Sequence, residues 1–369
     1  MSTSPNPQLP AEADVTANEN AIELKEVVGL SQGQIVRRRF FRHKGAMVGL
    51  AVLILTILLA YTSVGFGPVP GWWKYSGNEP LDILNGGEPT MGLPTWLGGS
   101  GFAIGEHPFG QDELGHDVFG RVMQGTQTSL MVMFIIGIAS CVVGVLVGAL
   151  AGFYRGRTDT FLMRTTDLFI TVPTIVIGAV LGKTAGNKGP AIFAVTLGVI
   201  LWTSLARLVR GEFLALRERE FVDAARVAGA SSRRIIFKHI LPNAVGTIIV
   251  STTLLMSSAI LLETALSYLG FGILPPNISL GQLIQNYQQA FATRPWLFWW
   301  PGFFIIIIAL TINFIGDGLR DAFDPRQKRI PSERKMAKAM AKDEAAGGGR
   351  NTNLPPMVDG QNAGVGIGG

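Results

Sequence analysis

Five residues in one short stretch, His107, Asp112, Glu113, His116 and Asp117, supply imidazoles and carboxylates of the kind that bind transition metals. The competing reading is a glycine-rich structural loop that leads into an apolar run, and it is the one adopted. Gly178, Gly182, Lys183 and Thr184 imitate a phosphate loop, whose backbone N–H groups would cradle a nucleotide. That motif needs four residues between its glycines and a preceding strand. Here there are three, at the end of an apolar run, so nucleotide binding is not assigned to this chain. Glu263 is the sharpest charge within an apolar run. A carboxylate deep in a membrane span costs about 2.5–3.5 kcal/mol, so it must face a cavity, a partner or the outer interface. A structural hydrogen bond and a place in a gate both remain open for it. Arg164 and Asp167, three residues apart, would neutralise each other on one helix face. Nowhere do a nucleophile, a general base and an orienting residue occur together, so no enzyme is read here.

The elements that position these residues follow from composition. Of 369 residues, 48% are hydrophobic and 15% charged, where a soluble domain carries about a quarter charged. Mean hydropathy is +0.34. The chain is expected to be an all-α polytopic membrane protein. Its one cysteine, Cys141, lies inside an apolar run, which rules out a disulfide framework and suits an inert buried residue. A transmembrane helix needs about 20 mostly apolar residues. Six stretches qualify, at about 45–66, 128–152, 161–182, 190–210, 241–266 and 297–317. Pro173 interrupts the third and predicts a kink. Gly144, Gly148 and Gly152 share one face of the second, where they either admit a close neighbour or are ordinary membrane-helix glycines.

Orientation follows from Lys and Arg, which are retained on the cytoplasmic side. With the cluster Arg37–Lys44 inside, only Lys74, Arg121, Lys183, Lys188 and Arg294 fall outside, leaving 26 of the 31 cationic residues inside. Both termini are then cytoplasmic, and the sequence pI near 9.4 is a topology signal without need of nucleic acid. Trp296, Trp299 and Trp300 are expected to form an interfacial belt at the outer end of the last span. The loops 67–127 and 267–295 are external. Residues 1–34 read as a disordered tail with no signal peptide, and 321–369 as a second cytoplasmic tail with a short amphipathic helix near 332–345.

Between the fourth and fifth spans lies the longest internal cytoplasmic loop, including EFVDAARVAGASSRRIIFKHILPN at 220–243. Apolar Phe221, Val222, Ala225, Val227 and Ala228 alternate with Glu220 and Asp223, which suits a helix lying partly at the membrane surface and partly against protein. Gly229 can take the positive-φ turn that ends this helix. Ser231 or Ser232 can cap the next, and Pro242 is placed to open the fifth span.

This segment resembles the EAA loop by which permeases of binding-protein-dependent ABC importers grip their ATPases. Asp223-Ala224-Ala225, Gly229, Leu241 and Pro242 match in register. Asp223 stands for the usual Glu, and His239 takes the Ile position with Ile240 one later. The stretch 107–130 is similar to the lead-in of dipeptide and oligopeptide permeases of the C type, with Gln111 and His116 where Thr and Arg are usual. ETALSYLGFGILPP at 263–276 and the run 300–326 resemble the same subunit, so the likeness covers roughly residues 35 to 328. It implies the type I importer permease fold, with 35–127 an N-terminal segment and 128–320 the core transmembrane domain. The resemblance further implies a multi-pass protein of the bacterial cytoplasmic membrane and a coupling surface at Glu220, Asp223, Ala224, Ala225, Gly229, His239, Ile240, Leu241 and Pro242. Its partners would be a second permease, two ATPases that bind ATP and Mg, an extracytoplasmic binding protein and a peptide substrate. This chain itself would hold no cofactor. A self-sufficient secondary transporter would show repeated halves and paired midplane charges, and neither is seen; nickel or another non-peptide solute is a further alternative cargo.

Overall fold

The computed structural model describes residues 32–75, 77–92, 101 and 103–324. The tails expected at 1–34 and 321–369 lie almost wholly outside these residues, as does the helix expected near 332–345. At their inner edges both expectations need correction. A helix α1 (Gln32–Arg42) begins within the first, and the last span continues through Phe323.

The amphipathic, basic α1 leads directly into α2 (Lys44–Ser63). His43 forms the joint. Its Nδ1 accepts from the Ala46 N–H at 3.0 Å, which leaves Nε2 to donate to Asp321 at 3.3 Å. Arg39 adds a hydrogen bond to the carbonyl of Asp324 at 3.0 Å. The two described ends of the chain therefore meet on one face of the bundle. A small hairpin, β1 (Gly65–Phe66) and β2 (Val69–Pro70), follows α2 on the opposite face and begins the long loop there.

Next come α3 (Val118–Tyr154), α4 (Gly156–Thr171), α5 (Thr174–Ala185), α6 (Pro190–Gly198), α7 (Thr203–Arg217) and α8 (Glu220–Val227). The chain closes with α9 (Ser232–Tyr268), α10 (Leu280–Tyr287) and α11 (Trp296–Phe323). Among the described residues, α2, α3, α9 and α11 are each long and apolar enough to cross a membrane, and the pairs α4–α5 and α6–α7 bring the number to six if each is one bent span. The expected six stretches are all helical, with different ends. α3 starts ten residues earlier than its apolar run because Asp117 caps it, accepting from the Gly120 N–H at 2.7 Å.

The break at Pro173 is a corner of 84° rather than a kink. Proline disfavours helical geometry in the residue before it, and Val172 sits at φ −90°, ψ 128°, fully extended. The α6–α7 break is milder, 43°. There the hydroxyl of Ser140 on α3 donates to the carbonyl of Gly198 at 2.8 Å, supplying a partner where the helix stops. Pro242 stands, as expected, in the first turn of the α-helical part of the fifth span, Leu241–Tyr268, but that part does not begin the helix. The proline lies inside a continuous helix that starts at Ser232, just after a π turn over Ile235–Ile240 in which the Leu241 N–H reaches back to the Ile236 carbonyl. Widening the helix accommodates a residue with no N–H and a ring that crowds the preceding turn.

α3 is the axis of the fold, packed on α7, α9 and α6. A Cβ on Gly144 would come 3.1 Å from the Leu205 side chain, one on Gly148 2.5 Å from the carbonyl oxygen of Ala206, and one on Gly152 2.6 Å from Cβ of Phe213. The glycine face expected from the sequence is thus the seam between α3 and α7, and two of its three positions meet α7 more closely than any side chain permits. Replacing Gly148 with Leu should cost roughly 1–3 kcal/mol or more through overpacking and lower the melting temperature of the detergent-purified protein. Gly211→Leu, on α7 where nothing lies within 4 Å of the glycine, is the matched control and should melt close to the parent.

Candidate functional site

At the face where the chain ends meet, α8 fills the gap between the end of α7 and the start of α9. It is held by its inner side. Val222 (fully buried) and Ala225, three residues apart on one helical face, enter an apolar cluster with Phe153, Phe213, Ile235, Ile236 and Ile240. The other side is open. Glu220, Asp223, Ala224 and Arg226 are exposed, and Val227 is 91% exposed, an unusual position for a valine. Glu220 and Asp223 lie in the first turn and Arg226 in the last, the arrangement that complements the helix dipole. Asp223 also pairs with Arg226 at 2.8 Å.

The end of α8 is a Schellman motif. The Gly229 N–H donates to the Arg226 carbonyl at 2.9 Å and the Ala230 N–H to the Ala225 carbonyl at 3.0 Å. Gly229 sits at φ +78°, with nothing within 4 Å of where a Cβ would be. Its conformation, and not crowding within this chain, requires glycine. Ser231 then caps α9 by accepting from the Arg234 N–H at 3.4 Å.

Charged ties fasten this surface to the bundle. Arg155 pairs with Glu218 at 2.6 Å, and Arg217 donates to the Phe153 carbonyl at 2.5 Å with its guanidinium 5.6 Å from the Phe153 ring centre. Glu212 on α7 accepts from Thr247 on α9 at 3.0 Å. These ties join the end of α7, which leads into α8, to the end of α3 and to α9.

The structure brings the expected coupling residues into one region but separates their surroundings. Glu220, Asp223, Ala224 and Gly229 face outward; Ala225 and Ile240 are buried anchors; His239 and Leu241 are half-buried; Pro242 is exposed beside the π turn. The anchors Val222, Ile235 and Ile236 and the outward Val227 were not singled out by the motif. Helical spacing contains the signal for two of them: Val222 and Val227 are about 140° apart around a helix, so both cannot belong to one apolar face.

On the opposite face, the residues that suggested a metal form two separate pairs. His107 Nδ1 lies 2.8 Å from Asp117 Oδ1, while Asp117 Oδ2 accepts from Trp73 Nε1 at 2.8 Å and from the Gly120 N–H. His116 lies 2.9 Å from Asp112 Oδ2, which also accepts from Arg121 at 2.6 Å and from the Tyr287 hydroxyl at 3.2 Å. Glu113 is exposed, and among the described residues no group of three His, Cys, Asp or Glu is placed to hold a metal ion. Gln111 spends its amide on the loop itself, accepting from the Leu84 N–H at 2.8 Å and donating to the Asp82 carbonyl at 3.0 Å. The stretch is a latch that joins the long loop to α3 and α10. Trp300 joins it, stacked on Phe109 at 3.8 Å, so that of the three tryptophans expected in a belt only Trp299 is exposed.

Glu263 is fully buried near the end of α9. Its oxygens accept from Ser267 at 2.8 Å and from Ser129 at 3.3 Å. Ser129 in turn accepts from the Leu280 N–H at 3.2 Å, so the carboxylate ties α3, α9 and α10. Asp167 does not pair with Arg164 as expected; it reaches across to Arg207 on α7 at 2.5 Å, because α7 lies alongside. The glycines of the apparent phosphate loop, Gly178 and Gly182, are buried against Leu266 and Phe271 and serve helix contact.

Burial alone pushes the Asp112 carboxyl up, but hydrogen bonds from the backbone and ring of His116 and the charge of Arg121 outweigh it and hold the group below the usual carboxylate value. Burial pushes the Tyr287 hydroxyl upward, so it remains a donor. With a depressed folded pKa, Asp112 contributes stability above the ordinary value of about 3.9 and loses it as pH falls further. The melting temperature should therefore drop on acidification below about pH 4, and Asp112→Asn should make that drop shallower while lowering stability at neutral pH.

Residues 144–329 match the family described as binding-protein-dependent transport system inner membrane component, and residues 31–79 match the N-terminal TM domain of oligopeptide transport permease C. The chain is 36% identical over 301 residues to the oligopeptide transport system permease protein OppC of Mycobacterium tuberculosis (strain ATCC 25618 / H37Rv), covering 81% of this chain and 97% of that one. It is 34% identical to the protein of the same name from Bacillus subtilis (strain 168), covering 85% and 96%. A solved structure of the MetNI methionine ABC transporter in an inward-facing conformation is similar at 21% identity and a TM-score of 0.45, over 54% of this chain and 94% of that one. With four to six membrane-crossing helices and these matches along most of its length, the chain belongs to the family of binding-protein-dependent transport system inner membrane components, in its oligopeptide permease C branch.

Proposed function

We propose that this chain forms half of the translocation pathway of an ATP-driven peptide importer and receives the power stroke at α8. The relatives named for oligopeptide transport support the cargo class. The observation that carries the coupling role is Val227, 91% exposed beside Ala224 and Ala228, with Glu220 and Asp223 on its own face and Arg226 next to it in the chain. An apolar centre with a charged rim is the anatomy of a protein interface, and this one is mounted on a helix anchored by Val222 and Ala225.

In this reading the α8 face is cytoplasmic, as the distribution of Lys and Arg supports, and both chain termini lie on that side. The partners are a second permease, two ATPases that bind ATP and Mg, and a binding protein on the opposite face, next to the loops that carry the latch. This chain contributes no catalytic group and no cofactor. Closure of the ATPases moves α8, and the ties at Glu218, Arg217 and Glu212 pass the movement to α3, α7 and α9 as a rigid body.

Val227→Asp, Asp223→Lys and Gly229→Phe should each leave the protein inserted at normal abundance. Each should weaken co-purification of the ATPases by about tenfold, the effect of losing one central interface residue, and abolish peptide uptake. Trp72→Ala, on the opposite face, should leave ATPase binding unchanged. Normal uptake by all three α8 variants would remove the coupling assignment.

A further inference from the structure

The corner between α3 and α4 carries an open groove of about 570 Å³ lined by Gly156, Arg157, Thr160, Phe161 and Arg164. Residues 157, 161, 164 and 168 recur at helical spacing, so Arg157, Phe161, Arg164 and Leu168 form one stripe along α4. Phe161 is 70% and Leu168 69% exposed, so cations and bare apolar groups alternate along it. The neighbouring charges are already matched: Asp159 holds Arg210 through two hydrogen bonds of 2.5 and 2.7 Å, Asp167 holds Arg207, and Arg155 holds Glu218. Arg157 and Arg164 have no anionic partner among the described residues. The Thr160 hydroxyl is committed to the Gly156 carbonyl at 3.0 Å.

The ion pairs also give the slope of α4. From Asp159 to Asp167 the helix advances eight residues, about 12 Å, while their partners move only from Arg210 to Arg207, about 4.5 Å along α7. The advance on α4 exceeds that on α7, so α4 slants against α7 as it leaves the corner where α3 ends. A slanting helix with alternating cationic and apolar positions belongs at the boundary between headgroups and acyl chains.

We propose that this groove seats the phosphate of an anionic phospholipid headgroup, clamped between Arg157 and Arg164, with its acyl chain along Phe161 and Leu168. The start of α4 has no side-chain cap, so its free N–H groups add to the attraction. The exposed apolar stripe selects a lipid over a soluble anion. Because Asp159 and Arg155 link the corner to α7 and Glu218, a bound lipid braces α4 against the helix that leads into α8.

The test is native mass spectrometry of the complete complex released from nanodiscs of phosphatidylcholine alone or with phosphatidylglycerol, plus a competition arm with inorganic phosphate. Phosphatidylglycerol should be retained selectively. The double variant Arg157→Gln/Arg164→Gln should bind it about thirtyfold more weakly, as loss of two cations at a membrane surface implies. Arg157→Lys/Arg164→Lys should keep most of the selectivity, and Lys183→Gln, on the opposite face, all of it. No preference for phosphatidylglycerol in the parent overturns the proposal, as does equal retention by the glutamine variant or displacement of the lipid by inorganic phosphate.

Discussion

The close approach of α3 to α7 across Gly144, Gly148 and Gly152 is the contact on which the rest of the molecule depends. α3 has 37 residues, about 55 Å of helix, and it touches everything of interest. Its first turn is capped by Asp117 of the latch; Ser129 meets Glu263; Ser140 satisfies the α6–α7 break; its last turn meets Phe213 and Arg217 below α8. Without a strong hydrophobic drive between helices in lipid, such approach must come from small residues and hydrogen bonds. The seam supplies the first, and the polar contacts along α3 the second.

Three breaks in the backbone show how the bundle tolerates irregular helices. At Pro173 the chain turns through 84°, at residues 199–202 it bends by 43°, and before Pro242 it widens into a π turn without bending away. Each places a different piece: α4 at a slant to α7, α7 against α3, and the start of α9 beneath α8. Where the helix stops at Gly198, Ser140 provides the missing donor. Near Pro242, the Asn243 amide donates to the His239 carbonyl at 2.6 Å.

Much of this was legible in the residues. Six apolar runs announced the spans, the glycine spacing offered the seam as one of two readings, and Gly229 announced the turn after α8, because each of these is a local property of composition or backbone freedom. What stayed hidden depends on where distant segments meet. A helix capped at Ser231 or Ser232 was legible, but its continuity with the fifth span through a π turn was not; that depends on packing of Ile235, Ile236 and Ile240 in the cluster with Phe213, Val222 and Ala225. Asp167 finds Arg207 across 40 residues and not its neighbour Arg164. His107 and His116 lie close in sequence, yet each takes a separate carboxylate, because the loop folds back on itself between them.

The central claim is that the outward side of α8 is the surface an ATPase grips. The chain has a single cysteine, Cys141, half-buried in α3, so a Cys141→Ala background makes site-specific cross-linking clean. In that background Val227→Cys, labelled with benzophenone-4-maleimide and irradiated in native membranes, should yield one adduct between this chain and a phosphate-loop ATPase, while Trp72→Cys on the opposite face yields none. Adducts of Val227→Cys with lipid or with a second copy of this chain, and none with an ATPase, would contradict the account.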